Sequence, residues 1–183
     1  KDICCILDEL DIFSLIISGL VHDIDHTGKN NAFENSSLSK LSIRYNDSSV
    51  LENHHCATFF KIIQDPRYNI FESLDREDYL YCRSLIINCI LSTDMKCHFE
   101  LCKKFEVKLN EFKDNKEAFD NLENKKLLLG MMIHSCDIYG PTKPNAIALK
   151  WNDKINKEFS KQVEAEELLE LPVTFFMKDL DNI

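Results

Sequence analysis

The chain has 183 residues, of which 44% are hydrophobic and 29% are charged, and its formal net charge is −9. This length and composition are typical of one folded domain with a sizeable core, and they exclude a disordered chain. The acidic balance leaves no basic patch that could hold a phosphate backbone, so we expect no nucleic-acid partner. With only four glycines and four prolines, turns are few, which argues against an all-β fold.

Apolar residues recur at helical spacing between turn signals, while no β alternation and no internal repeat stand out. The pattern therefore predicts an all-α fold, a compact multi-helix bundle. Asp75 is predicted to cap one of the helices. The polar segment 106–126 has few apolar anchors, which predicts a solvated loop or exposed helix ends. In chain order, the predicted helices are 8–26, 32–44, 50–64, 76–92, 95–105 or beyond, 126–137 and 145–162.

The chain carries no apolar run of membrane-spanning length, since the run 12–21 is too short. We therefore expect no membrane contact from this segment. Its eight cysteines are scattered and form no CxxC motif, which predicts reduced thiols and a cytoplasmic location. The chain starts inside a predicted helix and without methionine, which predicts a piece of a longer protein. That parent protein could itself be tethered to a membrane.

The segment 15–33 is the most informative part of the chain, because an apolar run leads directly into His22, Asp23 and His26. Burying such groups is costly unless they are paired or bind a metal. If 8–26 is helical, the two histidines lie four residues apart on one face, and Asp23 can reach the same ion. Imidazole beside a carboxylate that can bridge two ions predicts a two-metal hydrolase site. The alternative is a structural His22–Asp23 pair with a solvated His26.

Three more carboxylates, Glu52, Asp94 and Asp137, also lie at or near the end of apolar helical segments. Each has a simpler explanation. Glu52 suits the first turn of a helix, Asp94 could cap the next helix, and Asp137 could meet solvent at a helix end. Taken with His22 and Asp23, they indicate one shared cavity, because helices of a bundle can project such groups inward.

The remaining histidines and the tryptophan receive simpler interpretations. One of His54 and His55 is expected to face the core and the other to be an ordinary exposed or satisfied residue. We assign no function to His98 or His134. Trp151 is predicted to lie in the core of the fold.

Four motifs occur in order along the chain: HDIDHTG from 22, YNDSSVLENHH from 45, TDM from 93 and, after Asp137, PTKP from 141. Together they make the chain resemble the catalytic domain of class I cyclic nucleotide phosphodiesterases. The resemblance covers most of residues 8–162 in the same order. It implies an all-helical catalytic domain, of which 1–183 is a single partial stretch. It also implies hydrolysis of cAMP, cGMP or both to nucleoside 5′-monophosphates, which ends cyclic nucleotide signalling.

The resemblance also implies roles for individual residues. His22, Asp23 and Asp137 match three ligands of a tightly held ion, usually Zn²⁺, and Asp23 would bridge to a second ion, usually Mg²⁺ or Mn²⁺. The two ions would activate a bridging water to attack phosphorus. His26 and Glu52 match catalytic residues that hold the waters around the ions. The remaining matches hold these waters or line the substrate pocket: Thr93, Asp94, Met95 and Ile138.

Two parts of the family pattern have no match in this sequence. One is an upstream histidine motif that supplies a fourth zinc ligand and the proton donor, and the other is a downstream glutamine that clamps the base. We therefore expect this stretch alone to be inactive or nearly so and its parent to be an enzyme. Gly140 stands where many members carry Asn, so the preferred nucleotide stays open, as does the oligomeric state. The alternatives are a non-catalytic helical module of the same fold and another HD-type nucleotide phosphohydrolase.

Overall fold

A computed structural model describes residues 6–114, 117–178 and 180. Within these residues the chain forms eight α-helices and no β-strand, which confirms the predicted all-α fold. No described helix is both sufficiently long and sufficiently hydrophobic to span a membrane. The helices are α1 (Glu9–Val21), α2 (Asn31–Ser36), α3 (Lys40–Tyr45), α4 (Val50–Ile62), α5 (Arg76–Leu91), α6 (His98–Asp114), α7 (Leu122–Asp137) and α8 (Asn145–Leu168).

Helix α1 is shorter than predicted. Asp8 caps its start, since its side chain accepts a hydrogen bond from the backbone N–H of Asp11, but the helix ends at Val21. The chain then turns, and Asp25 adopts a left-handed backbone with φ 61°, a conformation that aspartate tolerates better than most residues. The prediction that His22 and His26 share one helical face is therefore wrong.

The predicted helix 32–44 is in fact two short helices, α2 and α3. Leu38 between them has a positive φ of 50°, and the side chain of Ser39 caps α3 by accepting from the N–H of Ser42. Serine favours helix starts because its hydroxyl competes for backbone groups. The predicted cap at Asp75 is confirmed, since its side chain accepts from the N–H of Asp78 at 2.9 Å.

The described residues form two compact units, and the first comprises Lys1–Ile24, as far as it is described, with His55–Asp137. Here α5 packs against both α1 and α7. Gly130 allows α7 to approach α5 closely, because a Cβ at this position would lie 2.6 Å from Oγ of Ser92. Side chains of all three helices fill the interior, among them Val21, Cys82, Leu85, Ile86, Cys89, Ile90, Leu129 and Ile133.

The polar segment 106–126 contains an aromatic anchor that its composition conceals. Phe119 is 2% exposed, and its ring lies 5.5 Å from that of Phe112 and 6.2 Å from that of Phe105. These contacts hold the connection between α6 and α7 against α6.

A buried charge cluster joins the first turns of α1 and α7. Asp11 is fully buried and accepts hydrogen bonds from Nζ of Lys125 at 2.6 Å and from the hydroxyl of Tyr81 at 2.6 Å. Lys125 also donates to Asp8 at 2.8 Å. Burial opposes the charge on Lys125, but the carboxylates outweigh it and raise the pKa of its ammonium. Burial and the bond to Asp11 raise the pKa of Tyr81 to about 12.

We predict that Lys125→Met destabilises the chain by about 3 kcal/mol, because it leaves the carboxylate of Asp11 buried without its cation. The free energy of unfolding in urea measures the loss. The matched control is Lys104→Met, which breaks an exposed pair with Glu100 and should change stability by less than about 1 kcal/mol. Equal effects of the two variants would contradict the structural role of the buried cluster.

The second unit comprises Asp25–His54 with Ile138–Ile183, as far as it is described. Glu166 on α8 is buried and accepts hydrogen bonds from the N–H and hydroxyl of Thr174, each at 2.7 Å, and from Nε2 of Gln162 at 2.8 Å. Gln162 in turn accepts from the N–H of Asn30, the cap of α2, at 2.9 Å. Helix α8 thus holds both the tail and the start of α2.

Trp151 on α8 does not lie in a core, so that prediction is wrong. Its side chain is 53% exposed. The ammonium groups of Lys143 and Lys154 lie 5.9 and 5.7 Å from the ring centre. Cation–π attraction therefore stabilises an aromatic ring on the surface of the helix.

The pKa of Glu166 gives a pH-dependent test of the second unit. Burial raises this pKa, but the hydrogen bonds from Thr174 and Gln162 outweigh burial and leave it below its usual range. A lowered carboxyl pKa contributes stability above the pKa of the unfolded chain, and that stability is lost as the pH falls through the folded-state pKa.

We predict that Glu166→Gln lowers the free energy of unfolding by about 2 kcal/mol at neutral pH. The reason is that the new amide NH₂ group would face the N–H and hydroxyl of Thr174 or the amide of Gln162, which are themselves donors. The difference from the unmodified chain should shrink at acidic pH, where Glu166 is protonated. Urea unfolding at both pH values measures it. The control is the adjacent Glu167→Gln, which changes an exposed carboxylate. If Glu166→Gln lowered the free energy of unfolding equally at both pH values, the lowered pKa of Glu166 would be contradicted.

Candidate metal centre

Two helix ends bring His22, Asp23 and Asp137 together. His22 directly follows α1, and Asp137 is the last residue of α7. Nε2 of His22 lies 3.2 Å from Oδ1 of Asp137 and 3.4 Å from Oδ2 of Asp23. One ligand atom from each of the three residues lies within 4.8 Å of the other two, a grouping that could hold a metal ion. The expected convergence of these residues is therefore present in the structure.

The orientation of the His22 ring is set by the backbone. Its Nδ1 lies 3.0 Å from the carbonyl oxygen of Gly19, and because a carbonyl only accepts, Nδ1 carries the proton. Nε2 therefore faces Asp23 and Asp137. An imidazole that donates one N–H to a backbone carbonyl and presents its other nitrogen to carboxylates has the arrangement of a metal-binding histidine.

The electrostatics of this corner favour a cation. The hydrogen bond to Asp137 is the main reason that the pKa of His22 is raised to about 9; burial opposes the shift, and the charge of Asp23 adds to it. His22 is thus protonated at neutral pH and compensates the two carboxylates. A divalent ion held by the same three residues would replace that proton, so the donor set fits such an ion.

His55 fixes the turn that carries Asp23. It is 2% exposed, and its Nδ1 lies 2.7 Å from the carbonyl oxygen of Ile24. Nε2 lies 3.9 Å from Oδ1 of Asp23. The expectation that one of His54 and His55 faces a core is met by His55. The sequence left open which of the two is buried; the spacing of four residues between His55 and the buried Phe59, on one face of α4, could have indicated it.

Two of the predicted pocket residues in the first unit have local structural roles. Asp94 is buried and accepts from the N–H of Lys96 at 2.9 Å, so it acts as the cap that we considered as the simpler explanation. The hydroxyl of Thr93 donates to the carbonyl of Ile90 at 2.7 Å. Met95 is exposed. Contacts of Thr93, Asp94 and Met95 with a substrate stay predictions.

In the second unit, Asn31 orients Glu52, a role that sequence reasoning missed. Nδ2 of Asn31 donates to both carboxylate oxygens of Glu52, at 3.0 and 3.3 Å, and its Oδ1 accepts from the N–H of Leu51 at 2.9 Å. A single amide thus fixes both the start of α4 and its acidic side chain. The spacing of 21 residues between donor and acceptor offers no local sequence signal.

His26 and Ile138 also belong to the second unit. Nδ1 of His26 accepts from the N–H of Gly28 at 3.0 Å, which places the proton of a neutral ring on Nε2. Gly28 has a φ of 72°, a left-handed conformation that favours glycine. Ile138 is exposed. The catalytic and pocket roles of His26, Glu52 and Ile138 stay predictions.

Comparison with known proteins assigns the chain to a protein family. The profile of the family described as 3′5′-cyclic nucleotide phosphodiesterase matches residues 1–182. The chain is 36% identical over 166 residues to the dual specificity calcium/calmodulin-dependent 3′,5′-cyclic nucleotide phosphodiesterase 1B of Bos taurus, covering 91% of this chain and 30% of that protein. It is 39% identical over 173 residues to the 3′,5′-cyclic-nucleotide phosphodiesterase regA of Dictyostelium discoideum, covering 93% and 21%.

A solved structure agrees with these matches. The phosphodiesterase domain of the RhoPDE fusion protein from the choanoflagellate Salpingoeca rosetta superposes with a TM-score of 0.87 at 38% identity, covering 94% of this chain and 54% of that one. The chain therefore belongs to the 3′,5′-cyclic nucleotide phosphodiesterase family. It spans less than a third of these two curated relatives and about half of the solved domain.

We predict that the pKa of His22, measured by NMR titration of its ring protons without added metal, is about 9. Asp137→Asn should lower this pKa by more than Asp23→Asn, because the bond to Asp137 is the larger cause. The control is Asp120→Asn, which changes an exposed carboxylate. An unchanged His22 pKa in Asp137→Asn would show that the two side chains do not meet in solution.

Proposed function

We propose that the protein containing this chain hydrolyses 3′,5′-cyclic nucleotides, cAMP and/or cGMP, to nucleoside 5′-monophosphates. The observation that carries the proposal is the convergence of His22, Asp23 and Asp137 in a chain whose family membership extends over residues 1–182. The activity is proposed for the longer protein, in which residues 1–183 form part of a single catalytic domain.

His22, Asp23 and Asp137 are proposed to hold a divalent cation, Zn²⁺, with Asp23 turned also towards a second one, Mg²⁺ or Mn²⁺. Such ions, when bound, supply Lewis-acid activation of water and neutralise the phosphate charge. The carbonyl of Gly19 keeps Nε2 of His22 directed towards Asp23 and Asp137, the residues that would hold the cation with it. Asp23 is well exposed, so one of its oxygens remains available beyond the first ion.

The overall reaction adds water across one phosphoester bond. A water oxygen bonds to phosphorus, the bond from phosphorus to the 3′ oxygen breaks, and that oxygen leaves with a proton. Thr93, Asp94, Met95 and Ile138 are proposed to line or support the substrate pocket, and His26 and Glu52 to hold water and move protons. The chain has a net charge of −9, and bound cations would allow it to bind an anionic substrate because they offset the repulsion between like charges.

A cytoplasmic location is proposed from the thiols. Burial raises the pKa of Cys89 to about 12 and raises that of Cys82, so both stay protonated and behave as small apolar side chains. Packing of reduced thiols within a helical core suits a reducing compartment.

We predict that the full-length protein hydrolyses cAMP or cGMP with added Mg²⁺ or Mn²⁺, and that a chelator abolishes turnover until divalent ions are restored. Asp137→Asn should lower kcat by at least about a hundredfold, because it removes a charged ligand. The control is Asp153→Asn, whose carboxylate pairs with Lys157 on the exposed surface of α8.

The assay measures release of the 5′-monophosphate, with circular dichroism to confirm that each variant is folded. Full turnover in folded Asp137→Asn would refute the ligand assignment. A folded, metal-loaded protein that hydrolyses neither nucleotide would refute the proposed activity and favour a non-catalytic helical module.

A further inference from the structure

Two histidines without an assigned function form a hydrogen-bonded pair inside the first unit. His134, on α7, is fully buried. Its Nδ1 lies 2.8 Å from the carbonyl oxygen of Ser92, and its Nε2 lies 2.8 Å from Nδ1 of His98. His98 is the first residue of α6, and Ser92 directly follows α5. The pair therefore joins three helices through two short hydrogen bonds.

The positions of the protons in this pair follow from its partners. The carbonyl of Ser92 only accepts, so Nδ1 of His134 carries a proton and donates. In a neutral ring Nε2 then carries the lone pair, so it accepts from Nδ1–H of His98. Both tautomers are thereby fixed, and the hydrogen bonds run in one direction from His98 through His134 to Ser92. A buried ring with both nitrogens used in this way is fully satisfied.

The end point of this chain of hydrogen bonds is the turn that follows α5. Ser92 is also held by its own side chain, whose hydroxyl donates to the carbonyl of Asn88 at 2.7 Å. Gly130, one helical turn before His134, removes the side chain that would collide with Ser92. Two residues on one face of α7 thus act on Ser92, one by its missing side chain and one by a hydrogen bond.

The same turn carries residues of the proposed active site. Thr93 and Asp94 come directly after Ser92, and Asp137 comes three residues after His134 on α7. A hydrogen bond from His134 to Ser92 therefore fixes the distance between the segment that leads to Thr93 and Asp94 and the helix that ends in Asp137.

We propose that His98 and His134 are positioning residues, which hold the Ser92–Asp94 turn in place against the end of α7 by a directional hydrogen-bond chain. The inference rests on the proposed function for its effect on turnover. Neither histidine contacts the substrate in this proposal. Their effect on turnover passes through the backbone of Ser92 to Thr93 and Asp94.

The first experiment does not depend on catalysis. Two-bond ¹H–¹⁵N NMR spectra of the chain report which ring nitrogen of each histidine carries the proton. We expect both His98 and His134 to be protonated at Nδ1 when neutral. A His134 ring protonated at Nε2 would overturn the proposal, because it could not donate to Ser92.

The second experiment uses two near-isosteric variants of the full-length protein. His134→Asn places an amide N–H close to the position of Nδ1 and keeps the donor to Ser92, whereas His134→Gln places its amide near Nε2 and loses that donor. We expect kcat to stay within about threefold in His134→Asn and to fall about tenfold or more in His134→Gln, with KM changed less than kcat. Glu100→Gln is the control, because it changes an exposed carboxylate of α6 whose partner is Lys104 and not the histidine pair.

Equal kcat values in folded His134→Asn and His134→Gln would overturn the proposal. It would also be overturned if the decrease in kcat of each variant were proportional to the decrease in its melting temperature. If either variant fails to fold, His98→Asn and His98→Leu at the half-buried end of the chain replace them. Only His98→Asn keeps a donor to His134, so equal kcat values of this pair would also overturn it. If the unmodified protein shows no turnover, the proposed function fails, and the NMR experiment alone then decides the hydrogen-bond chain.

Discussion

The contact between His22 and Asp137 joins residues 115 positions apart, and the candidate metal centre depends on it. The same two helices, α1 and α7, are also joined at their first turns, where Lys125 meets Asp11. Eleven residues separate the two contacts on α1 and twelve on α7, which is roughly 17 Å of helix in each case. The two helices therefore run in the same direction, with an ion pair near each end.

These two ends differ in how their charge is balanced. At the first turns, a lysine satisfies the carboxylate of Asp11 with atoms of the chain itself. At the last turns two carboxylates, Asp23 and Asp137, share one imidazole, and the pKa of His22 rises as a result. Both clusters set two carboxylates against one cationic group, but Asp11 is fully buried and held by donors from Lys125 and Tyr81, whereas the side chain of Asp23 is 63% exposed. That open carboxylate distinguishes a candidate cation site from a structural ion pair.

Local sequence signals predicted most of the helices, and of the long-range contacts described here only the one between His22 and Asp137 was anticipated. The cap at Asp75 and most helical segments follow from local motifs and periodicity, whereas the grouping of His22, Asp23 and Asp137 as one ligand set was implied by the family resemblance. The end of α1 was missed because it depends on the left-handed turn at Asp25, which the apolar pattern does not reveal. The Asn31–Glu52 bond and the His98–His134 pair were beyond reach, because each partner is individually an ordinary polar residue until the helices meet.

Gly130 sets a limit on how this family member can vary. A methyl group there would lie 2.6 Å from Oγ of Ser92 and 3.3 Å from Nδ2 of Asn88, so any substitution would press α7 against two side chains at the end of α5. Since α7 continues from Gly130 to Asp137, a shift of the helix at position 130 would also move the carboxylate two turns further on. The absence of a side chain at position 130 thus contributes to the alignment of the candidate metal centre as well as to the packing of α7 against α5.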